Sequence, residues 1–245
     1  MKKSIYGLVM SVGIVSNVQA QSEQLWFEYM MTHPFANTWE LEHDVRYATV
    51  LAAPRWRSLR YYPSLSWSYS QHLDILGAAG INYTVQSKDD NTLEIREMLG
   101  FRIHITPNKR VLTRILVRGE NRNLQNTETK DWSSSNRLRL RGEALIPINN
   151  PTMFNKDKLM YGIIDTEWFF ALDQDLNERF ANRFRLRTGV GYRFNYNLRV
   201  EFIYSYQESR NQLDDSNPIQ DNIFRFRFRH FINKSNPSKT LGVGN

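Results

Sequence analysis

Arg183-Phe184-Arg185-Leu186-Arg187-Thr188-Gly189-Val190-Gly191-Tyr192-Arg193-Phe194 alternates apolar and cationic residues almost without a break. A strand turns successive side chains to opposite faces. At that period Phe184, Leu186, Val190, Tyr192 and Phe194 share one face, and Arg183, Arg185, Arg187 and Arg193 share the other. At the helical period the two kinds would mix on every side. Strands of soluble proteins usually run ~5–6 residues, whereas a tilted strand crossing a bilayer needs ~9–11. The stretch therefore predicts a strand long enough to cross a bilayer, apolar outside and charged inside.

The same period extends in both directions. Downstream, Leu198, Val200, Phe202, Tyr204 and Tyr206 follow the tight Tyr196-Asn197 corner, and Phe224, Phe226 and Phe228 alternate with Arg225, Arg227 and Arg229. Upstream, Leu138, Leu140, Ala144, Ile146 and Ile148 oppose Arg137, Arg139, Arg141 and Glu143. Leu93 to Ile105, Ile75 to Val85, Leu59 to Tyr69 and Trp39 to Tyr47 repeat the pattern. Val111 to Arg122 is blurred by aliphatics on both faces, and Leu159 to Leu172 reads as uniformly apolar. With Leu25 to Met31 these make about eleven segments. The expected fold is all-β: an antiparallel up-and-down transmembrane β-barrel of about 10–12 strands. Bacterial single-chain barrels have even strand numbers. Ten is therefore expected if Leu25 to Met31 is not a full strand, and twelve if Pro63 marks a missed break.

Connections are expected to alternate between short turns at Thr106-Pro107-Asn108-Lys109 and Asn195-Tyr196-Asn197 and long polar loops. The long ones are read at Asn121 to Ser135, Asp173 to Ala181 and Gln207 to Asp221.

Composition excludes much else. The 245 residues contain no cysteine, which removes disulfides, thiolate metal sites and cysteine nucleophiles. A mean hydropathy of −0.55 excludes a bundle of apolar spanning helices. Lys2 and Lys3, an apolar run from Ile5 to Val15, and Val18-Gln19-Ala20 before Gln21 form the layout of a secretory signal peptide. Its removal would lower the formal charge from +7 to +5. The expected organisation is a cleaved signal at residues 1–20, a barrel over 21–232 and a flexible tail over 233–245, in the bacterial outer membrane.

With apolar residues outward, the interior receives the arginines, which outnumber lysines 23 to 9. A planar guanidinium suits crowded bidentate ion pairs. A lumenal ion network is expected among Glu40, Glu42, Asp44, Arg137, Arg139, Arg141, Arg183, Arg185, Arg187, Arg225, Arg227 and Arg229. Closure of the sheet would bring the Arg225/Arg227/Arg229 ladder to the Glu40/Glu42/Asp44 face. Structural packing is the first reading of this network, and selection of small anionic solutes the second. The arginines repeat at strand period and form no patch, which argues against nucleic acid.

Chemistry is harder to find. The five histidines lack metal-ligand spacing, and His43 and His230 fall in the apolar phase as girdle residues. His104 with Thr106 resembles the His/hydroxyl pair of barrel-type hydrolases, without an orienting acid. Asp89-Asp90, Asp173/Asp175 and Asp214-Asp215 are read as solvated loop tips, since the glycine and distal glutamate of a calcium loop are missing. Gly189 and Gly191 are read as letting the sheet bend or making room for arginines. No catalytic residue, metal or cofactor is expected.

Leu25-Trp26, the strand Glu40-Leu41-Glu42-His43-Asp44-Val45-Arg46 and Gly189-Val190-Gly191-Tyr192-Arg193 together resemble a family of uncharacterised Gram-negative outer-membrane proteins. That family is common in Bacteroidetes and is grouped only as a domain of unknown function. The resemblance covers most of residues 24–232. It implies an outer-membrane β-barrel and no assigned activity, ligand or catalytic residue. The tail from Asn233 to Asn245 departs from barrels that end on an aromatic strand residue, a part that Phe231 would take here.

The expectation is thus an outer-membrane barrel with a structural role or passing small anionic solutes through a narrow lumen. A surface lipid or peptide hydrolase, and a soluble periplasmic barrel around an apolar ligand, are the alternatives. Outer-membrane lipid and the barrel-insertion machinery are the expected partners of a monomer.

Overall fold

Eleven long strands, β1 (Ser22–Pro34), β2 (Trp39–Val50), β3 (Arg57–Ser70), β4 (Leu73–Val85), β5 (Thr92–His104), β6 (Leu112–Asn126), β7 (Trp132–Pro147), β8 (Leu159–Ala171), β9 (Asn182–Arg193), β10 (Leu198–Arg210) and β11 (Ile219–Phe231), make up most of the computed structural model. It describes residues 22–52, 56–86, 91–154, 157–173, 182–210 and 219–232. No helix occurs among them. The expected signal peptide, the tail, Asp89-Asp90, Asp175 and Asp214-Asp215 lie outside the described residues, as does the side chain of Arg183.

Each strand pairs antiparallel with its sequence neighbours, and the sheet closes into a barrel. The odd number is reconciled by a parallel seam. β1 runs alongside β11 from Ser22↔Asp221 to Thr32↔Phe231, so Leu25 to Met31 belongs to a full barrel strand. An antiparallel meander of eleven strands begins and ends in the same direction, and only a parallel pair closes it. β3 runs through Pro63 without splitting, because Pro63 sits opposite His43 within the ladder to β2.

The strands tilt steeply. One circuit of paired residues starts at Ser22 and passes through Asp221, Gln207, Arg185, Glu167, Arg141, Leu116, Arg102, Asp74 and Ser68. Ser68 bonds to Thr38, beyond the far end of β1. The circuit therefore climbs the whole length of β1, as the stagger of a closed barrel requires.

Loop lengths differ from the expected alternation. β6 and β7 extend to Asn126 and from Trp132, so most of Asn121 to Ser135 is strand. Its polarity comes from an outward ladder: Asn123 donates to Asn121 at 2.7 Å, and Asn121 to Asn136 at 2.9 Å. The connection over 148–158, at the end of the barrel where short turns were expected, is among the longest. Asn136 continues the polar ladder to Asp173, which accepts hydrogen bonds from its backbone and side chain.

Outside, Phe27, Tyr47, Leu59, Ile81, Leu99, Phe101, Phe202 and Phe228 are all exposed. Rings there stack across strands, Trp39 on Trp67 at 5.8 Å and Phe27 on Phe226 at 5.7 Å. His43 and His230 lie on this surface against the hydroxyls of Tyr61 (2.8 Å) and Tyr29 (3.1 Å). Phe231, in contrast, faces inward and is buried, so the outward aromatics of β11 are Phe226 and Phe228.

Gly191 makes room for Tyr161, not for an arginine: a Cβ there would collide with the Tyr161 ring. That ring is fully buried and its hydroxyl donates to Glu201 at 2.6 Å. Gly191→Ala must displace it, and is expected to destabilise the barrel by about 1–3 kcal/mol in urea unfolding.

Candidate functional site

The interior is built from the inward residues of every strand, and most of them are ionic. Two carboxylates organise its middle on one side. Glu167, wholly buried on β8, receives Arg139 at 2.5 Å, Arg187 at 3.3 Å, Arg185 at 3.5 Å and Arg118 at 3.7 Å. Glu120 on β6 receives Arg137 at 2.6 Å, Arg139 at 2.7 Å and Arg118 at 2.9 Å. Arg187 also reaches Asp165 at 2.5 Å. Arg139 thus bridges both glutamates, and its guanidinium lies 4.3 Å from the ring of Phe169. Arg–carboxylate contacts of this kind are strong because each guanidinium serves several acceptors in one plane.

Across the lumen, Glu28 on β1 holds Arg227 (2.5 Å) and Arg225 (3.5 Å) from β11 and Arg60 (3.4 Å) from β3. Arg60 also contacts Asp44, and Arg227 reaches on to Glu201 at 2.9 Å. Arg46 and Arg225 cover the buried Trp26 ring at 4.1 and 4.7 Å. Glu28, Glu120, Glu167, Arg139, Arg185, Arg187 and Arg225 are all buried. Inward groups of β1 and of β5 through β11 are buried here, and their ion pairs crowd the middle of the lumen as a belt.

Below the belt the lumen opens into a cup of about 280 Å³. Its walls carry eight arginines against six carboxylates, with His104 and the hydroxyls of Ser64, Ser66 and Ser68. Met153 and Phe154, from the connection before β8, reach in to line it, and Arg193 donates to the Met153 carbonyl at 2.9 Å.

The sequence-predicted residues are placed as follows. Arg229 meets Glu42 at 3.3 Å, as closure of the sheet required. Arg225 and Arg227 instead meet Glu28, and Asp44 meets Arg60. The seam sets β1, not β2, beside β11, and Glu28 stands in the way. Glu40 lines the cup. Arg141 contacts Glu143 at 3.7 Å, and Arg185 also donates to Gln207. Glu167, Glu120, Asp165 and Asp74 were missed. Period two alone could have found Asp165 and Glu167, which share a face with Leu159, Tyr161 and Ile163.

His104 and Thr106 are not brought together. His104 Nε2 lies 2.8 Å from Asp74, which also takes Arg102, while the Thr106 hydroxyl donates to the Val111 carbonyl at 2.7 Å within its own turn. Among the described residues no group of three or more His, Cys, Asp or Glu side chains is placed to hold a metal.

The model of a family described as "Protein of unknown function (DUF2490)" matches residues 23–218. The chain belongs to this family. The match runs from β1 through the end of β10 and ends where β11 begins. No curated protein matches the chain. For this DUF2490 member the family sets no activity, so function has to be argued from the lumen.

Proposed function

We propose that this protein is an outer-membrane β-barrel that admits small anionic solutes into a cup at one end of a lumen sealed across its middle. The observation that carries this reading is the cup itself, where guanidiniums outnumber carboxylates on the walls of an open cavity. Selectivity for anions follows from that imbalance. The exposed aromatic and aliphatic shell supports a lipid surround, since one-sided apolar exposure on this scale otherwise marks an interface. The signal-peptide layout of residues 1–20 supports export. An apolar ligand inside a soluble barrel has no such support, because the cavity offers ion pairs where such a ligand needs hydrocarbon. Outer-membrane lipid and the barrel-insertion machinery are the partners this reading requires.

Fractionation and bilayer recording test it together. The mature protein is expected in the membrane pellet, extracted by detergent and not by osmotic shock. In planar bilayers it is expected to give no steady open conductance, because buried ion pairs crowd the middle. Release by shock would end the membrane reading, and a stable cation-selective pore would end the anionic one.

A further inference from the structure

We infer that a row of three arginines in the cup, Arg193, Arg199 and Arg229, binds the phosphoryl group of a small phosphate monoester. The inference rests on the reading of the cup as the solute-facing end of the barrel and names what that end recognises.

The three residues occupy directly paired positions on three adjacent strands: Arg193 of β9 opposite Arg199 of β10, and Arg199 opposite Arg229 of β11. All three line the cup. Like charges directly opposite one another on a sheet face repel. Elsewhere in this lumen the repulsion is relieved by an intervening carboxylate. Arg118 and Arg139, directly opposite on β6 and β7, share Glu120, and Arg96 and Arg122, opposite on β5 and β6, share Glu94. At Arg199, in the middle of the row, no carboxylate stands within ion-pair distance among the described residues, and Glu201, two positions along β10, is taken by Arg227 at 2.9 Å. Arg229 reaches Glu42 only at its far side, at 3.3 Å. Arg199 makes no ion pair among the described residues, and its guanidinium rests on the Phe231 ring at 4.4 Å. The Nε atoms of Arg199 and Arg229 are buried without a hydrogen-bond acceptor, as are those of Arg102, Arg114 and Arg141 on the walls of the same cup. Buried donors without acceptors are uncommon and point to a missing partner.

The missing partner is an oxyanion. Guanidiniums present planar paired donors that match phosphate oxygens, and three of them suit a dianion better than a single carboxylate. The opposite wall carries Ser64, Ser66 and Ser68 in successive inward positions, hydroxyl groups able to meet the polar remainder of a monoester. The cavity of about 280 Å³ admits a small phosphorylated polyol and excludes a nucleic acid chain.

The test is thermal unfolding of the detergent-solubilised protein, followed by tryptophan fluorescence, with glycerol phosphate or inorganic phosphate added at constant ionic strength. Saturable stabilisation is expected with both phosphates and not with chloride. Arg199→Gln is expected to weaken phosphate binding about tenfold or more, and Arg199→Lys less. Without phosphate, Arg199→Gln is expected to unfold no more easily than wild type, because it removes a charge that has no counter-ion. A purely structural Arg199 would instead destabilise equally with and without phosphate, and that result would overturn the proposal, as would equal stabilisation by chloride. Stabilisation by inorganic phosphate but not by glycerol phosphate would overturn the monoester assignment. Phosphate binding by a protein that osmotic shock releases would leave this site standing and remove the membrane reading alone.

Discussion

Glu167→Gln is expected to destabilise the barrel by about 3–5 kcal/mol, the range for breaking a buried ion pair from one side. Glu167 is wholly buried and receives four guanidiniums within 4 Å, those of Arg139, Arg187, Arg185 and Arg118. These arginines are themselves 5–16% exposed, so solvent cannot replace the lost charge. The neutral amide keeps the shape and leaves the guanidiniums mutually repelling. Glu42→Gln is the control. Its side chain is 25% exposed, with Arg229 at 3.3 Å as its ion pair and the Thr32 hydroxyl donating to it at 3.3 Å, so a loss under about 1 kcal/mol is expected. Urea unfolding in detergent micelles, followed by tryptophan fluorescence, measures both. Equal losses would mean that the belt does not carry the stability assigned to it.

The second large effect belongs to the seam. Glu28→Gln strips the counter-charge from Arg225, Arg227 and Arg60 where β1 meets β11, with an expected loss of about 3 kcal/mol. Here the loss is directional, because two of the three arginines sit across the seam. Ser22 donates to Asp221 across the same seam at 2.5 Å, and the chain has no cysteine of its own. The pair Ser22→Cys and Asp221→Cys is therefore expected to form a disulfide in the folded barrel. The bond is expected to restore most of the stability that Glu28→Gln removes, by holding the two strands together. A barrel closed with ten or twelve strands would not bring these two positions together, and absence of the crosslink would overturn the parallel seam.

Much of the fold was legible because a strand writes its faces into adjacent residues. Arg183 to Phe194 needed no partner to be read, and Phe224 to Arg229 needed none either. The loop expected over Asn121 to Ser135 failed for a related reason: Asn121, Asn123 and Asn136 are polar and outward, and polarity without alternation looks like a loop. The ion network was half legible. Arginines stand out at alternate positions, but their carboxylates do not. Asp165 and Glu167 keep the period of β8, but Trp168, Phe169 and Phe170 beside them make the strand read as uniformly apolar. Glu120 lies in the segment blurred by aliphatics.

The sequence by itself determined the long strands, their apolar and arginine-bearing faces and hence a barrel with a charged interior, because side-chain alternation is a local property of extended backbone. Only the tertiary structure decided that eleven strands close through a parallel seam, that Glu28 and not Glu40 meets the last arginine ladder, and that Arg193, Arg199 and Arg229 stand in one row without a carboxylate at its centre. Those outcomes depend on register carried round the whole sheet. A circuit that starts at Ser22 and returns beyond the far end of β1 displaces every partner from where local reading puts it.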